Sequence, residues 1–253
     1  MTVVLAIDTA DRTSGVAVAV DGRVRTQFVE VTASRHSERL FSLVDAALCG
    51  ALVKATDVSC VAVTVGPGSF TGVRVGVATA KGIAFGCGVP AVGVSSLEAL
   101  ARGAMPFSGL VVPVLDARKR QIYAAAFDGL SGSAVVEEGA WDPETFAAEL
   151  RGLDTTSLLL GSGLGPYAGL LGRELGDKCL AATPARWSVS PGEVALIGHR
   201  ALREGMATTA GFLAPVYYRI SEAEASRQPP GERPRRPGRP GTSRVSPAGC
   251  TPP

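Results

Sequence analysis

Short β-branched apolar runs alternate along this chain with longer segments of mixed character, a pattern that predicts strands interleaved with helices. Val3 to Ile7 reads as a buried strand ending at Asp8-Thr9, and Gly15 to Val20 and Val24 to Val31 follow with Asp21-Gly22 between them. Asp-Gly between two apolar runs is a strong hairpin signal, because a type I′ turn needs positive φ at both central positions. A helix is predicted from about Ser34 to Val53, and a strand from Cys60 to Val65. That strand runs into Gly66-Pro-Gly-Ser-Phe-Thr-Gly72 and a helix to about Phe85. A short strand near Ala91 to Val94 and a helix from Ser95 to Arg102 close this half.

The plan then repeats. Leu110 to Leu115 ends at Asp116, Gln121 to Phe127 precedes a second Asp-Gly at Asp128-Gly129, and Ala134 to Glu138 is a third strand. Asp142-Pro143 opens a helix to about Leu150, with a capping acid just before a helix-starting proline. Ser157 to Leu160 leads into Gly161-Ser-Gly163, as Cys60 to Val65 led into Gly66. The spacing from the first strand's aspartate to the Asp-Gly is 13 residues in one half (Asp8 to Asp21) and 12 in the other (Asp116 to Asp128). Three antiparallel strands followed by β-α units, present twice, is the plan of the actin and Hsp70-like ATPases. The expected fold is therefore a duplicated α/β, RNase H-like architecture with mixed sheets and two lobes, residues 1–106 and 107–226. The competing reading is an unrelated α/β protein with two coincidental hairpins.

Composition and charge refine this picture at the end of the chain. Of 25 basic and 23 acidic residues, six Arg and one Glu fall in residues 227–253, which leaves 19 basic against 22 acidic, or −3, on residues 1–226. Residues 227–253, with the stretch Gln228-Pro-Pro-Gly-Glu-Arg-Pro-Arg-Arg-Pro-Gly-Arg-Pro-Gly, have almost nothing apolar to bury and are expected to form a disordered tail. Such a tail either touches nucleic acid electrostatically or is simply solvated. The five cysteines are scattered without a C-x-x-C pair, so a reducing, cytoplasmic setting is expected. The N-terminus lacks a basic region and a long apolar run, and Val73 to Val89 carries Arg74 and Lys81, so neither a signal peptide nor a membrane span is expected.

Chemistry has few places to sit. The turn Gly66 to Gly72 could cradle phosphate at a helix N-terminus. It lacks the Gly-Lys-Ser/Thr of a Walker A loop, however, and has Thr71 where a Rossmann fingerprint needs glycine. The alternative is a tight turn with Ser69 or Thr71 as helix cap. Two histidines, His36 and His199, are too few for a zinc centre without cysteine pairs, and no Gly-x-Ser-x-Gly elbow marks a nucleophile. Asp8 and Asp116 stand where ATPases of this plan hold magnesium and phosphates, but Thr9-Ala10-Asp11 and Ala117-Arg118 follow them instead of glycine and a hydroxyl residue. No cofactor or metal is expected.

The helix after the glycine turn has a ridge of small residues, Gly72, Gly76, Ala80 and Ala84, with Gly82 inside it as well. Interior glycine costs about 1 kcal/mol relative to alanine, so close packing must offset it. In the preceding helix, apolar residues from Leu40 to Leu52 cover roughly 180° of the wheel, against the ~100° that one core requires. Either the pair is buried in its own fold, or a spare flank meets another subunit.

Taken together, Leu5-Ala-Ile-Asp-Thr, His36-Ser-Glu, Gly66-Pro-Gly-Ser-Phe-Thr-Gly-Val-Arg-Val-Gly, Ala80-Lys-Gly-Ile-Ala, Gly93-Val-Ser-Ser-Leu, Asp116-Ala-Arg and Pro215-Val-Tyr-Tyr-Arg with Glu222-Ala-Glu resemble the bacterial TsaB (YeaZ) family. The resemblance spans residues 3–224 and says nothing of the tail. It implies an actin-like fold without catalysis, serving threonylcarbamoyl modification of the adenosine next to the anticodon in tRNA. The implied partners are a TsaD-like catalytic subunit, a TsaE-like ATPase on the assembled pair, and tRNA through the complex. The family's contact is a bundle of the first two long helices, which by position are Ser34 to Val53 and Ser69 to Phe85. On these, His36, Leu40, Leu43, Val44, Ala47, Val73, Gly76, Val77 and Ala80 are expected to face the partner. Ala80→Trp or Val77→Asp is then expected to break association while sparing the fold. A homodimer through the same flank is a further expectation. The rival is an ATP-dependent kinase or hydrolase of the same fold. Peptide cleavage, sometimes attached to the family by kinship, has no support in these residues. The body's −3 charge argues against an RNA-binding face on this subunit alone.

Overall fold

The computed structural model describes residues 1–31 and 36–218, with side chains in the first helix from residue 39. The side chain of His36, the Glu222-Ala-Glu segment and the basic tail lie outside the described residues.

The two halves have the same topology. In the first, β1 (Val3–Asp8), β2 (Thr13–Val20) and β3 (Arg23–Val31) form an antiparallel meander, followed by α1 (His36–Gly50), β4 (Cys60–Gly66), α2 (Phe70–Cys87), β5 (Ala91–Ser95) and α3 (Ser96–Arg102). The second runs β6 (Leu110–Arg118), β7 (Gln121–Asp128), β8 (Ala134–Trp141), α4 (Pro143–Gly152), β9 (Ser157–Leu160), α5 (Leu164–Leu175), β10 (Cys179–Ala181) and α6 (Pro191–Arg203). The sheets have strand orders β3-β2-β1-β4-β5 and β8-β7-β6-β9-β10, which correspond strand for strand. β1 is central in the first, antiparallel to β2 (Asp8 opposite Gly15) and parallel to β4 (Ile7 opposite Val63).

The duplicated, two-lobed α/β fold is therefore present. Alternation along β1 and β4 explains its layering. Val3, Leu5, Ile7, Val61 and Val63 face one way and pack under α1 and α2, while Val4, Ala6, Cys60 and Ala62 face the other way. That second face is covered by α6, the last helix of the second half; α3, the last of the first, packs against β6 and β7. Each half thus closes the other's sheet, and one continuous apolar cluster joins Val4 and Ala62 to Leu97, Leu100, Val111 and Phe127. A third cluster, built from Val112, Val114, Ile122, Phe146 and Leu164, lies under α4 and α5.

Three features differ from expectation. Asp128-Gly129 does not form a two-residue turn: Asp128 Oδ1 accepts from the amides of Leu130 and Ser131, and the positive φ falls on Gly132. An aspartate folding its own loop back competes successfully with the hairpin turn. The real tight hairpin of this half is at the end of β6, which runs past Asp116 to Arg118. Helix α6 is not among the elements expected above, although Ser190-Pro191-Gly-Glu193 carries its start signal. Ser190 accepts from the Glu193 amide and Pro191 sits in the first turn.

Candidate functional site

The end of β1 points into the N-terminal turn of α2, and the chain itself fills the space between them. The Ala10 carbonyl accepts from the Ser69 amide at 2.6 Å, and the Thr9 hydroxyl donates to the Gly72 carbonyl at 2.7 Å. A Cβ on Gly68 would collide with the Ala10 carbonyl oxygen, one on Gly72 with the Thr9 carbonyl oxygen, and one on Gly76 with the Thr9 hydroxyl. The glycines of this turn therefore admit the protein's own β1–β2 connection. Ser69 caps α2 by accepting from the Gly72 amide, so the helix-cap alternative describes the turn.

Asp8 is fully buried beneath this packing. Its Oδ1 accepts from the Thr64 hydroxyl at 2.7 Å and from the Ala10 amide at 3.2 Å, while Oδ2 has no protein partner. Burial pushes the carboxyl up to about 6, against the Thr64 and Ala10 hydrogen bonds that hold it down; Asp11 raises it further. Asp116 of the second half is only half-buried, its Oδ1 accepting from the Arg118 amide. Among the described residues no group of three or more His, Cys, Asp or Glu could hold a metal. A surface cavity of about 280 Å³ lies between Leu150, Asp154, Leu175 and Lys178, and neither aspartate lines it.

The helix pair is where expectation and structure part. Leu40, Val44, Ala47, Val73, Gly76, Val77 and Ala80 are all buried against the protein's own first sheet, Ala80 with no exposure at all; Leu43 is half-buried on the same cluster. The seven buried residues offer a partner no surface in this structure, Leu43 keeps part of its surface, and Ala80→Trp or Val77→Asp would strike the core. The physical reason is the small-residue ridge itself. It lets α2 descend onto β1 and β4, so the Gly72–Ala84 ridge serves the intramolecular contact.

The open flank is the opposite one. On α2 it presents Ala78, Gly82, Phe85 and Gly86, with Val75 and Ile83 at its borders; on α1, Phe41, Ala46 and Cys49. Phe85 is 83% exposed and Phe41 58%. A Cβ on Gly82 or Gly86 would meet nothing within 4 Å, so no contact inside this chain requires glycine at either position. The last charged residue of α2, Lys81, reaches back to the Gly211 carbonyl at 3.2 Å.

A strap after α6 borders this flank. Leu213 is buried against Val65 and Gly93, and the Val216 amide donates to the Val65 carbonyl at 2.7 Å. Tyr217 stacks on Phe70 (centroids 5.1 Å) and its hydroxyl accepts from Arg74, whose guanidinium lies 3.7 Å over the Phe70 ring. Tyr218 turns the other way and donates to Glu138 of β8, which also accepts from Ser95 at the end of β5. Burial raises Glu138, and burial together with Glu138 pushes Tyr218 up to about 12. The strap thereby ties the first sheet to the second. Nothing local in Pro215-Val-Tyr-Tyr218 gives the partners of its two tyrosines.

Comparison with known proteins agrees with this architecture. The family profile of TsaD, tRNA N6-adenosine threonylcarbamoyltransferase, matches residues 29–144. The tRNA threonylcarbamoyladenosine biosynthesis protein TsaB of Bacillus subtilis is 33% identical over 226 residues, covering 88% of this chain and 96% of that one. TsaB of Escherichia coli is 37% identical over 150 residues, 58% of this chain and 62% of its own. Among solved structures, YeaZ from Pseudomonas aeruginosa superimposes with a TM-score of 0.73 at 27% identity, over 86% of this chain and all of that one. With near-complete coverage of the Bacillus protein, matching fold, and the family's segments in order, the chain belongs to the TsaB (YeaZ) family of tRNA threonylcarbamoyladenosine biosynthesis proteins.

Proposed function

We propose that this chain is a non-catalytic subunit of the tRNA threonylcarbamoyladenosine pathway, and that it acts by docking the outer flank of α1 and α2 onto a TsaD-like catalytic subunit. The observation that carries this is the pair of glycines in open space. Gly82 and Gly86 each weaken α2 by about 1 kcal/mol relative to alanine, and no neighbour in the chain would be touched by a side chain there. A helix from outside could approach this ridge to backbone distance, with Phe41 and Phe85 as apolar anchors on either side. A TsaE-like ATPase on the assembled pair, and a homodimer of the free subunit through the same flank, belong to the same proposal. The kinase or hydrolase reading is disfavoured because the Ala10 carbonyl already occupies the Ser69 amide that phosphate would need, and Thr9 packs against Gly72 and Gly76.

The test is co-purification with the catalytic subunit of the same organism, comparing wild type with Gly82→Trp. Gly82 is exposed and a Cβ there meets nothing within 4 Å, so the free chain is expected to keep its melting temperature while the complex is lost. A complex unaffected by Gly82→Trp would remove this flank from the interface. No complex with wild type, together with Mg-ATP binding by the chain alone, would favour the enzyme.

A further inference from the structure

We propose that the docking surface extends from α2 onto the strap after α6, with Phe212 as an anchor, and that the partner face it receives is apolar and carries carboxylates. This rests on the docking reading above and concerns the chemistry that the partner must present. The strap is fastened along α2 at two points. Lys81 donates to the Gly211 carbonyl at 3.2 Å, and Arg74, two turns earlier, donates through Nε to the Tyr217 hydroxyl at 2.8 Å. The chain after Gly211 therefore runs back along the helix towards its N-terminus. The short turn Ala210–Phe212 packs on α2 itself.

Phe212 is held from both sides and yet lies outside the core. Before it, Thr208 and Ala91 exchange two backbone hydrogen bonds, at 2.8 and 2.9 Å. After it, Leu213 is buried. The Phe212 amide donates to the Thr209 carbonyl at 3.1 Å, and the residue is 82% exposed. One exposed aromatic alone would need no explanation. Here Val216, Tyr217 and Phe70 are exposed on the same seam, and Tyr217 stacks on Phe70. An anchor whose backbone is fixed before binding loses less entropy when it is used.

Area and charge decide what covers this seam. A stable interface takes about 20–30 residues from each side. The open flank of α1 and α2 offers fewer, with Phe41 and Phe85 as its large exposed side chains and glycine and alanine among the rest. A partner seated there must spread onto a neighbour, and the strap is continuous with α2 through Lys81 and Arg74. Neither α2 nor residues 205–218 contain Asp or Glu, so Arg74 and Lys81 are the charges of the seam. Each gives one N–H to the strap, and the others suit carboxylates on the partner.

The test is titration of the full-length chain with the TsaD-like subunit of the same organism. Phe212→Ser is expected to weaken binding roughly tenfold or more, as loss of an aromatic anchor does, with the free chain's melting temperature unchanged. Phe212→Tyr keeps the ring and should restore binding. Leu130→Ser, at another well-exposed apolar residue in the β7–β8 loop, should bind as wild type. In Arg74→Gln the salt dependence of association should be shallower than in wild type, the basic tail being common to both. Wild-type affinity in Phe212→Ser, an equal loss in Leu130→Ser, or an unchanged salt slope in Arg74→Gln would each overturn the proposal. Gly82→Trp separates it from the reading it rests on. If Gly82→Trp abolishes the complex and Phe212→Ser leaves it intact, the helices dock without the strap; if Gly82→Trp binds as wild type, both readings fall.

Discussion

Helix α2 has two ridges of small residues, and they do opposite things. Gly72, Gly76, Ala80 and Ala84 face inward, where Thr9, β1 and β4 approach so closely that larger side chains are excluded. Ala78, Gly82 and Gly86 are exposed on the outer face, and a Cβ on either glycine would meet nothing within 4 Å. In sequence the two are nearly indistinguishable, both being small residues at a spacing of four. The difference lies in what each ridge has in front of it. The inner one is explained completely by this chain, and the outer one is not.

The comparison breaks first at Ala80. Ala80→Trp would drive an indole into the space occupied by β1 and β4, where Ala80 has no exposure. Overpacking by even a few methylenes costs typically about 1–3 kcal/mol, and this change is much larger. The free chain is expected to lose more than about 3 kcal/mol in urea denaturation, a large part of an ordinary domain's stability. A variant that unfolds at the wild-type midpoint would mean that α2 is not seated on the sheet as described.

Asp8 sharpens the same inner region by pH. Its carboxyl titrates at about 6 in the folded chain against 3.8 for the free side chain. The folded state therefore holds the proton more tightly, and ionisation works against folding. The penalty is absent below about pH 3.8, grows through the window up to 6, and is complete above it, reaching about 3 kcal/mol at pH 7. Asp8→Asn keeps the acceptor for Thr64 and is expected to recover up to about that amount at pH 7, with little change near pH 3.5. If denaturation midpoints of the two proteins ran parallel from pH 3.5 to 7, Asp8 would be solvated and the end of β1 open to a ligand.

Much of this fold was legible because alternation and turn chemistry are local. The β-branched runs of β1 and β4, the Asp21-Gly22 turn and the Asp142-Pro143 helix start all formed as their residues dictate. The candidate site was legible only to the level of the element. Apolar residues on α1 and small residues on α2 point to the helix pair, yet hydrophobicity alone names the buried face, which is where Leu40, Val44, Val77 and Ala80 lie. The signal that could have found the outer face was the extra glycine, Gly82, out of register with the ridge. The strap was harder to read. Tyr217 and Tyr218 find Arg74 and Glu138 across 143 and 80 residues, a pairing that only the assembled sheets create.

The smallest change is the most discriminating between the two ridges. Gly76→Ala and Gly86→Ala are the same substitution on the same helix, and propensity alone favours both by about 1 kcal/mol. At Gly76 the new methyl group would collide with the Thr9 hydroxyl, which holds the Gly72 carbonyl, so the free chain is expected to lose stability despite the gain. At Gly86 nothing is touched, and the free chain should become more stable by the full propensity difference, about 1 kcal/mol. If the proposed docking holds, affinity for a TsaD-like subunit should move the other way at Gly86, because a methyl group on the outer ridge would hold a partner helix off. Thermal denaturation of the free variants and titration with the partner separate these effects. Stabilisation at Gly86 without loss of affinity would leave that glycine unexplained and narrow the docking surface to Gly82 and the two phenylalanines.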